Sequence, residues 1–156
     1  HNIRNVSKNP IIGDDSMSYF EQLMSFIYPE FIAENQYIAY TNSDYETSLY
    51  RIYAVSLLDD DQKASMKENY TKEEQEAYIE KVKSESIYDM DVEVDSSDLL
   101  ITLMTCTRFY GGSSWPTFRI DARKVREDEK QTLVKVETND NYKPIKERMK
   151  EGENNA

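Results

Sequence analysis

The segment that most strongly indicates the fold of this chain is Leu99-Leu100-Ile101-Thr102-Leu103-Met104-Thr105-Cys106-Thr107-Arg108. It is apolar and β-branched, contains no Gly or Pro, and therefore predicts a well-buried strand. Side chains alternate along a strand, so we expect Cys106 to share a face with Met104, Thr102 and Leu100. A thiol at the end of a rigid strand, beside a glycine-serine loop, suits a nucleophile. Taken alone, however, the strand favours an inert cysteine, because free Cys is among the most buried residue types.

Length and composition indicate one acidic domain. The chain has 156 residues and a formal net charge of −11, which argues against a nucleic-acid partner. The apolar run at residues 52–58 is too short to cross a membrane. A single cysteine excludes an internal disulfide and a Cys-based zinc site. The twelve tyrosines suit half-buried strands and a substrate-facing surface.

Upstream of the cysteine strand, the sequence predicts a helix and then a hairpin. Ser18 and Glu21 have the spacing of a capping box, and an apolar stripe follows at helical spacing until Pro29, which we expect to end the helix. That stripe is interpreted as core. Residues 36–41 and 47–58 are rich in Tyr, Ile and Val and predict a hairpin with a five-residue loop.

The segment between the hairpin and the cysteine strand predicts a turn, a helix and an irregular connection. The acidic turn at residues 59–61 lacks the alternating spacing of a calcium loop and is expected to be solvated. Thr71 and Glu74 form a second capping box, which opens a helix to about Ser84. We expect its inward side chains to be Tyr78, Ile79 and Val82. Residues 87–98 are acidic and predicted to be irregular.

Downstream of the cysteine strand, residues 117–125 predict another strand. Phe118, Ile120 and Ala122 should lie on one face, and Arg119, Asp121 and Arg123 on the other. Residues 131–136 are a candidate for a last short strand. From Thr138 onward the chain is polar, with Pro144 opening a short charged helix in a frayed end.

A nucleophilic thiol needs a proton acceptor or a cationic neighbour. The only imidazole is that of His1, and the arginines near the cysteine in sequence are Arg108 and Arg119. An arginine cannot act as a base at neutral pH, but it can hold negative charge developing on a carbonyl oxygen. These residue types therefore permit a Cys–His–Arg site.

Four segments, taken in order, resemble sortases, the cysteine transpeptidases of Gram-positive cell surfaces. Residues 101–106, Ile-Thr-Leu-Met-Thr-Cys, are similar to the family's TLxTC signature, and His1-Asn2 resembles the segment that carries its catalytic histidine. Residues 50–55, the helix after them and residues 83–89 are similar to class B sortases, which have an extra helix before the cysteine strand. Arg119 falls on the strand where the family keeps its catalytic arginine. The resemblance covers roughly residues 1–126.

The chain departs from the family's pattern beside the cysteine and around the arginine. Class B members commonly have Ser where this chain has Met104. The family's arginine usually lies five residues before a small residue, a place that Thr117 occupies relative to Ala122. A bulge in the strand would re-aim Arg119. Arg108 is the alternative catalytic arginine.

The resemblance implies a sortase-type β-barrel, mainly β with helices, whose catalytic domain spans residues 1–137 and is followed by a polar tail at 138–156. Sortases have strands before the histidine, so it also implies a barrel incomplete at the N-terminus and unstable without an N-terminal segment. The implied catalytic residues are His1, Cys106 and Arg119, with Thr105 contacting substrate. No metal or organic cofactor is implied.

The implied function is transpeptidation. Cys106 would cleave a sorting motif of surface proteins or pilins at a threonine and transfer the acyl group to an amine of the cell wall or of a pilin lysine. The implied location is the extracellular face of a Gram-positive membrane, with a membrane contact only through an N-terminal anchor absent from this sequence. Two alternatives stay open: a cysteine peptidase with water as acceptor, and a non-catalytic surface binding module.

Overall fold

A four-stranded antiparallel sheet is the main feature of the computed structural model, which describes residues 21–58, 69–106 and 116–143. The described strands are β1 (Tyr37–Thr41), β2 (Thr47–Leu58), β3 (Tyr88–Met90), β4 (Leu100–Cys106), β5 (Thr117–Lys124) and β6 (Val136–Thr138). The large sheet has the order β1-β2-β5-β4, and β3 pairs with β6 in a separate ribbon. The described helices are a 3-10 helix (Glu21–Ile27), α1 (Pro29–Glu34) and α2 (Lys72–Ser84). The prediction of a mainly β fold with helices is confirmed.

The β1–β2 hairpin is confirmed, including its five-residue loop. Pairing runs from Tyr37 opposite Arg51 to Thr41 opposite Thr47. In the loop, the Asn42 side-chain oxygen accepts hydrogen bonds from the backbone N–H groups of Asp44 and Glu46, which is how an Asn side chain organises a turn. The turn closes with Tyr45 at a φ of 62°, where its side chain is 91% exposed.

Helix α2 begins and ends where the sequence predicts. The Thr71 hydroxyl accepts from the Glu74 N–H, and the Glu74 carboxylate accepts from the Thr71 N–H, so the capping box is formed. Its predicted inward residues are buried: Tyr78, Ile79 and Val82. The helix ends at Ser84, and the next residue, Glu85, is its C-cap.

The helix predicted to end at Pro29 does end before it, at Ile27, but the structure differs from the prediction in two respects. Residues 21–27 form a 3-10 helix, while Ser18 and the predicted start lie outside the described residues. Pro29 opens α1 because proline is tolerated in the first turn, where its missing N–H would have no intrahelical acceptor. The core interpretation is confirmed for Leu23 and Met24, which are buried.

Strand β4 forms as predicted but is less buried than expected. Leu100 to Met104 are half-buried, and Leu99 just before them is 59% exposed. The reason is position, because within the described residues β4 is an edge strand that pairs only with β5. Thr105 is buried, opposite Phe118.

Strand β5 confirms the predicted alternation and is buried on both faces. Its apolar face joins a core built chiefly from β2, β5 and the helices. Members of that core are Met24, Ile32, Ile52, Val55, Leu57, Val82, Phe118, Ile120 and Ala122. Its other face carries Arg119, Asp121 and Arg123, each at most 2% exposed. Buried charges need partners, and these residues find them in α2, β4 and the loop after β5.

The strand predicted at residues 131–136 is wrong, because side chains satisfy that backbone instead. The Gln36 amide exchanges two hydrogen bonds with the Val134 backbone, at 2.7 and 2.9 Å. The Tyr37 hydroxyl exchanges two with Thr132, at 2.9 and 3.0 Å. Pairing begins only at Val136, where β6 meets β3, a three-residue strand within the connection predicted to be irregular.

No helix within the described ranges is long and apolar enough to span a membrane.

Candidate active site

The pairing of β4 with β5 sets the geometry around position 106. The two strands run in antiparallel register from Leu100 opposite Arg123 to Cys106 opposite Thr117, and Met104 lies opposite Arg119. Opposed residues share a face, as do residues two apart along one strand. Positions 117 and 119 therefore lie on the same face of the sheet. Position 106 lies on that face too, because it is two positions along β4 from Met104, which opposes Arg119.

The sequence suggested a bulge in β5 that would change the direction of Arg119, but the observed bulge lies in β2. Pairing of β5 with β4 is uninterrupted, whereas β2 inserts Tyr53 between Ile52, which opposes Ala122, and Ala54, which opposes Asp121. The bulge hypothesis for β5 is therefore wrong. Thr117 and Arg119 share a face of β5 without any bulge in that strand, and they oppose Cys106 and Met104, respectively.

Two carboxylates hold the Arg119 guanidinium, which is 2% exposed. Its Nε lies 2.7 Å from Asp121 Oδ2, and its Nη2 donates to Glu85 Oε2 at 3.0 Å. Asp121 is two residues along β5, while Glu85 reaches the arginine from the C-cap of α2. Burial works to lower the pKa of Arg119, but the negative charges of Asp121 and Glu85 outweigh it and raise that pKa. Arg119 is therefore a permanent buried cation.

Asp121 is fully buried and has hydrogen-bond donors on its other oxygen. Oδ1 accepts from the Thr102 hydroxyl at 2.6 Å and from the Tyr78 hydroxyl at 3.2 Å. Burial raises the pKa of Asp121, while the charge of Arg119 opposes that rise. Burial also raises the pKa of Tyr78 to about 12, so this phenol is protonated and able to donate at neutral pH.

Two more buried polar atoms border this group. The Ser56 hydroxyl belongs to the β2 residue opposite Arg119, and the Tyr53 hydroxyl belongs to the bulge. Neither has a hydrogen-bond partner within the described part of the chain, and the contact of Arg119 Nε with Asp121 Oδ2 is likewise an ion pair without hydrogen-bond geometry. Burial, together with the negative charge of Asp121, raises the pKa of Tyr53 well above its usual range. A region with buried polar atoms of this kind is energetically costly, and such regions often belong to functional sites.

The predicted site residues fall in different parts of the chain. His1 and Arg108 lie outside the described residues, as do the turn at 59–61 and Pro144. Cys106 is the last residue of β4, and its side chain is likewise outside the description. Thr105 is buried on the face of the sheet opposite to that of Arg119, and its role as a substrate contact stays a prediction. No cluster of three or more His, Cys, Asp or Glu that could hold a metal occurs in the described ranges.

A second charged cluster connects the loop after β5 to the large sheet through hydrogen-bonded ion pairs. Glu129 accepts from Arg123 Nη1 and Nη2, at 2.6 and 2.8 Å, and from Arg51 Nη1 at 2.7 Å. The hydrogen bonds from Arg123, and then those from Arg51 and the backbone, lower the pKa of Glu129 from 4.5 to about 2. The ionised carboxylate therefore stabilises the fold.

We expect Glu129→Gln to lower the free energy of unfolding by about 1.5–3 kcal/mol at neutral pH, typical of hydrogen bonds to charged groups. The folded-state pKa lies below the unfolded value, so this contribution is complete above about pH 4.5 and is lost as pH falls towards 2. Urea unfolding of both proteins at pH 7, 4.5 and 3 measures the difference.

The control for Glu129→Gln is Glu137→Gln, which removes an exposed carboxylate paired with Lys135 at 2.6 Å. Exposed pairs contribute little, so we expect a change below about 1 kcal/mol at every pH. A wild-type to Glu129→Gln difference that stays constant down to pH 3 would contradict the assignment of the cluster to Glu129 ionisation.

No protein-family model matches the chain, and no curated protein matches it. Solved structures do match. Sortase B from Clostridium perfringens superposes with a TM-score of 0.59 at 23% identity, over 69% of this chain and 58% of the solved one. Sortase B from Listeria monocytogenes gives 0.57 at 23% identity, over 72% and 59%.

A third match is sortase B from Bacillus anthracis, with a TM-score of 0.59 at 19% identity over 74% of this chain and 50% of that one. The matched region thus spans between half and three-fifths of these three solved chains. At such identities the likeness concerns the fold. The chain has a sortase B-like fold, which confirms the resemblance found in the sequence.

Proposed function

We propose that the chain is the larger part of the catalytic domain of a sortase-like cysteine transpeptidase. The observation that carries the proposal is the register of β4 with β5, in which the strand ending at Cys106 lies directly against the strand bearing Arg119. The sortase B-like fold supports it, as does the Thr-Leu-Met-Thr-Cys sequence at residues 102–106.

Cys106 acts as the nucleophile in this mechanism. Its thiolate sulfur bonds to the carbonyl carbon of a threonine in the substrate, and the carbonyl oxygen becomes an oxyanion. The C–N bond then breaks, His1 gives a proton to the departing amine, and a thioester remains on Cys106. An incoming amine attacks that thioester, loses a proton to His1, forms the new amide and releases the thiolate.

Arg119 stabilises the oxyanion of both tetrahedral intermediates. A guanidinium that is already oriented and kept from water is effective in this role, because no solvent must reorganise when charge develops. Its burial and its two ion pairs support such preorganisation. Thr105 is the proposed substrate contact, and the reaction calls for no metal or organic cofactor.

The proposed partners are a sorting-motif peptide and an amine nucleophile. Among the solved structures that match are a Staphylococcus aureus sortase B–substrate complex and a sortase B complexed with triglycine. By analogy, we infer that this protein takes a peptide from a surface protein or pilin and an amine from the cell wall or a pilin. Its place would be the outer face of a Gram-positive membrane.

The test is a ligation assay with a pool of threonine-containing pentapeptides whose flanking residues are randomised. With triglycine present, we expect products in which the peptide is cut after threonine and joined to triglycine, identified by mass. Free acids alone would indicate the alternative cysteine peptidase. Neither product, in a protein that folds, would favour the non-catalytic binding module.

A further inference from the structure

Hydrogen bonds and an ion pair together connect helix α2 to the guanidinium of Arg119. The Tyr78 hydroxyl, from the middle of α2, donates to Asp121 Oδ1 at 3.2 Å and lies 3.4 Å from the Thr102 hydroxyl. Thr102, on β4, donates to the same oxygen at 2.6 Å. Asp121 Oδ2 in turn lies 2.7 Å from Arg119 Nε. Three elements, α2, β4 and β5, thus meet at one carboxylate.

The two oxygens of Asp121 have different partners, and this restricts the orientation of the carboxylate. With two hydroxyl donors on Oδ1, the carboxylate cannot rotate without losing hydrogen bonds in a region from which water is excluded. Oδ2 therefore stays within 2.7 Å of Arg119 Nε, an ion pair without hydrogen-bond geometry, while Glu85 Oε2 accepts a hydrogen bond from Nη2 at 3.0 Å. Two of the guanidinium nitrogens are thus paired with carboxylates from two different parts of the fold.

A gain in folding stability alone does not explain why Arg119 is buried with two carboxylates. Two carboxylates and one guanidinium leave a net negative charge in a buried place, and the gain from buried ion pairs is often smaller than the desolvation penalty. Apolar residues of similar volume would commonly serve the fold as well or better. Orientation of Arg119 is what the charged group supplies and an apolar core would not.

We infer that Asp121, held by Tyr78 and Thr102, is a positioning residue that aims Arg119 at the oxyanion. The inference rests on the proposed function for its catalytic consequence, but the positioning itself is independent of activity. It makes the docking of α2 part of the active site through the hydrogen bond of Tyr78 to Asp121.

The test removes single hydroxyl groups and leaves the charges in place. Tyr78→Phe deletes one donor to Asp121, and Thr102→Val deletes the other with little change in shape. The matched control is Tyr88→Phe, which removes a buried tyrosine hydroxyl that donates to the Ile27 carbonyl at 2.5 Å and has no bond to Asp121. Any general effect of losing a buried tyrosine hydroxyl group appears in the control variant as well.

The first measurement is the NMR signal of the Arg119 Nε–H in ¹⁵N-arginine-labelled protein. We expect both test variants to shift this signal and to increase its exchange with water, whereas Tyr88→Phe leaves it unchanged. The second measurement is ligation kinetics with triglycine and the most reactive peptide of the pool. We expect kcat to fall about tenfold in each test variant, with KM within about twofold of wild type.

The two measurements separate this inference from the proposed function. A shifted Arg119 signal in the test variants of a protein that has no ligation activity would leave the positioning intact and reject the transpeptidase. An active wild type, with both test variants retaining full kcat and an unmoved Arg119 signal, would overturn the positioning role. Equal kcat losses in the test variants and the Tyr88→Phe control would overturn it as well. Should Tyr78→Phe fail to fold, Thr102→Val alone decides.

Discussion

Cys106→Ala is expected to abolish transpeptidation while leaving the fold stable. The reaction needs a sulfur that bonds to the acyl carbon, and alanine has none, so ligation of the peptide pool to triglycine should fall to background. The substitution removes one heavy atom, and the backbone pairing of residue 106 with Thr117 is retained. We therefore expect a thermal transition close to that of wild type.

The control for Cys106→Ala is Met104→Leu, a volume-conserving change two residues earlier on the same strand. It should keep most of the activity, because it alters packing in β4 and leaves the thiol in place. Near-normal turnover by the alanine variant would show that Cys106 is not the nucleophile. Unfolding of that variant would instead support a structural role for the thiol.

Arg119→Ala is expected to have the second largest effect, acting on both activity and stability. Loss of an oxyanion donor typically lowers kcat by about 10²–10³-fold. The same substitution leaves Asp121 as an uncompensated buried charge, which typically costs about 3–5 kcal/mol. Ligation kinetics and urea unfolding measure the two effects separately.

The double variant Arg119→Ala with Asp121→Asn separates these two roles. Removing the stranded charge of Asp121 should recover much of the stability, whereas kcat should stay as low as in the single variant. Arg108→Ala is the comparison for the alternative arginine, and we expect it to lower kcat far less. A large loss at Arg108 with Arg119 silent would reverse the assignment.

Local sequence patterns predicted the central elements well. The hairpin and α2 were predictable because their signals lie within a few residues: period-two alternation around a polar loop, and the reciprocal capping box of Thr71 and Glu74. Strands β4 and β5 were predictable because long β-branched and alternating runs permit little else. The sortase-like fold followed from the order of these elements together with the Thr-Leu-Met-Thr-Cys sequence.

The errors arose where distant contacts override local pattern. Residues 131–135 look like a strand, but the side chains of Gln36 and Tyr37 occupy the backbone groups that a neighbouring strand would have paired. Pro29 opens a helix after a break at Tyr28, which the continuous apolar stripe did not reveal. Strand β4 is only half-buried because its place in the sheet depends on topology, which its own sequence does not encode.

The residues around Arg119 were only partly predictable. Alternation placed Asp121 on the face of Arg119, and helical spacing turned Tyr78 inward. What the sequence could not show is that these residues meet, because Tyr78 and Asp121 are 43 positions apart and Arg119 and Glu85 are 34 apart. An aspartate two residues beyond a candidate catalytic arginine was the one available signal.

The most direct test of the proposed function is the mass of the protein after brief mixing with the pentapeptide pool in the absence of an amine. The proposed mechanism predicts a thioester adduct, equal in mass to an acyl fragment ending in threonine, confined to the tryptic peptide 84–108, which carries the only cysteine. Hydroxylamine should release it, and Cys106→Ala should not form it. Absence of an adduct from folded wild-type protein, or an adduct on any other peptide, would contradict the claim that Cys106 is an acyl-transferring nucleophile.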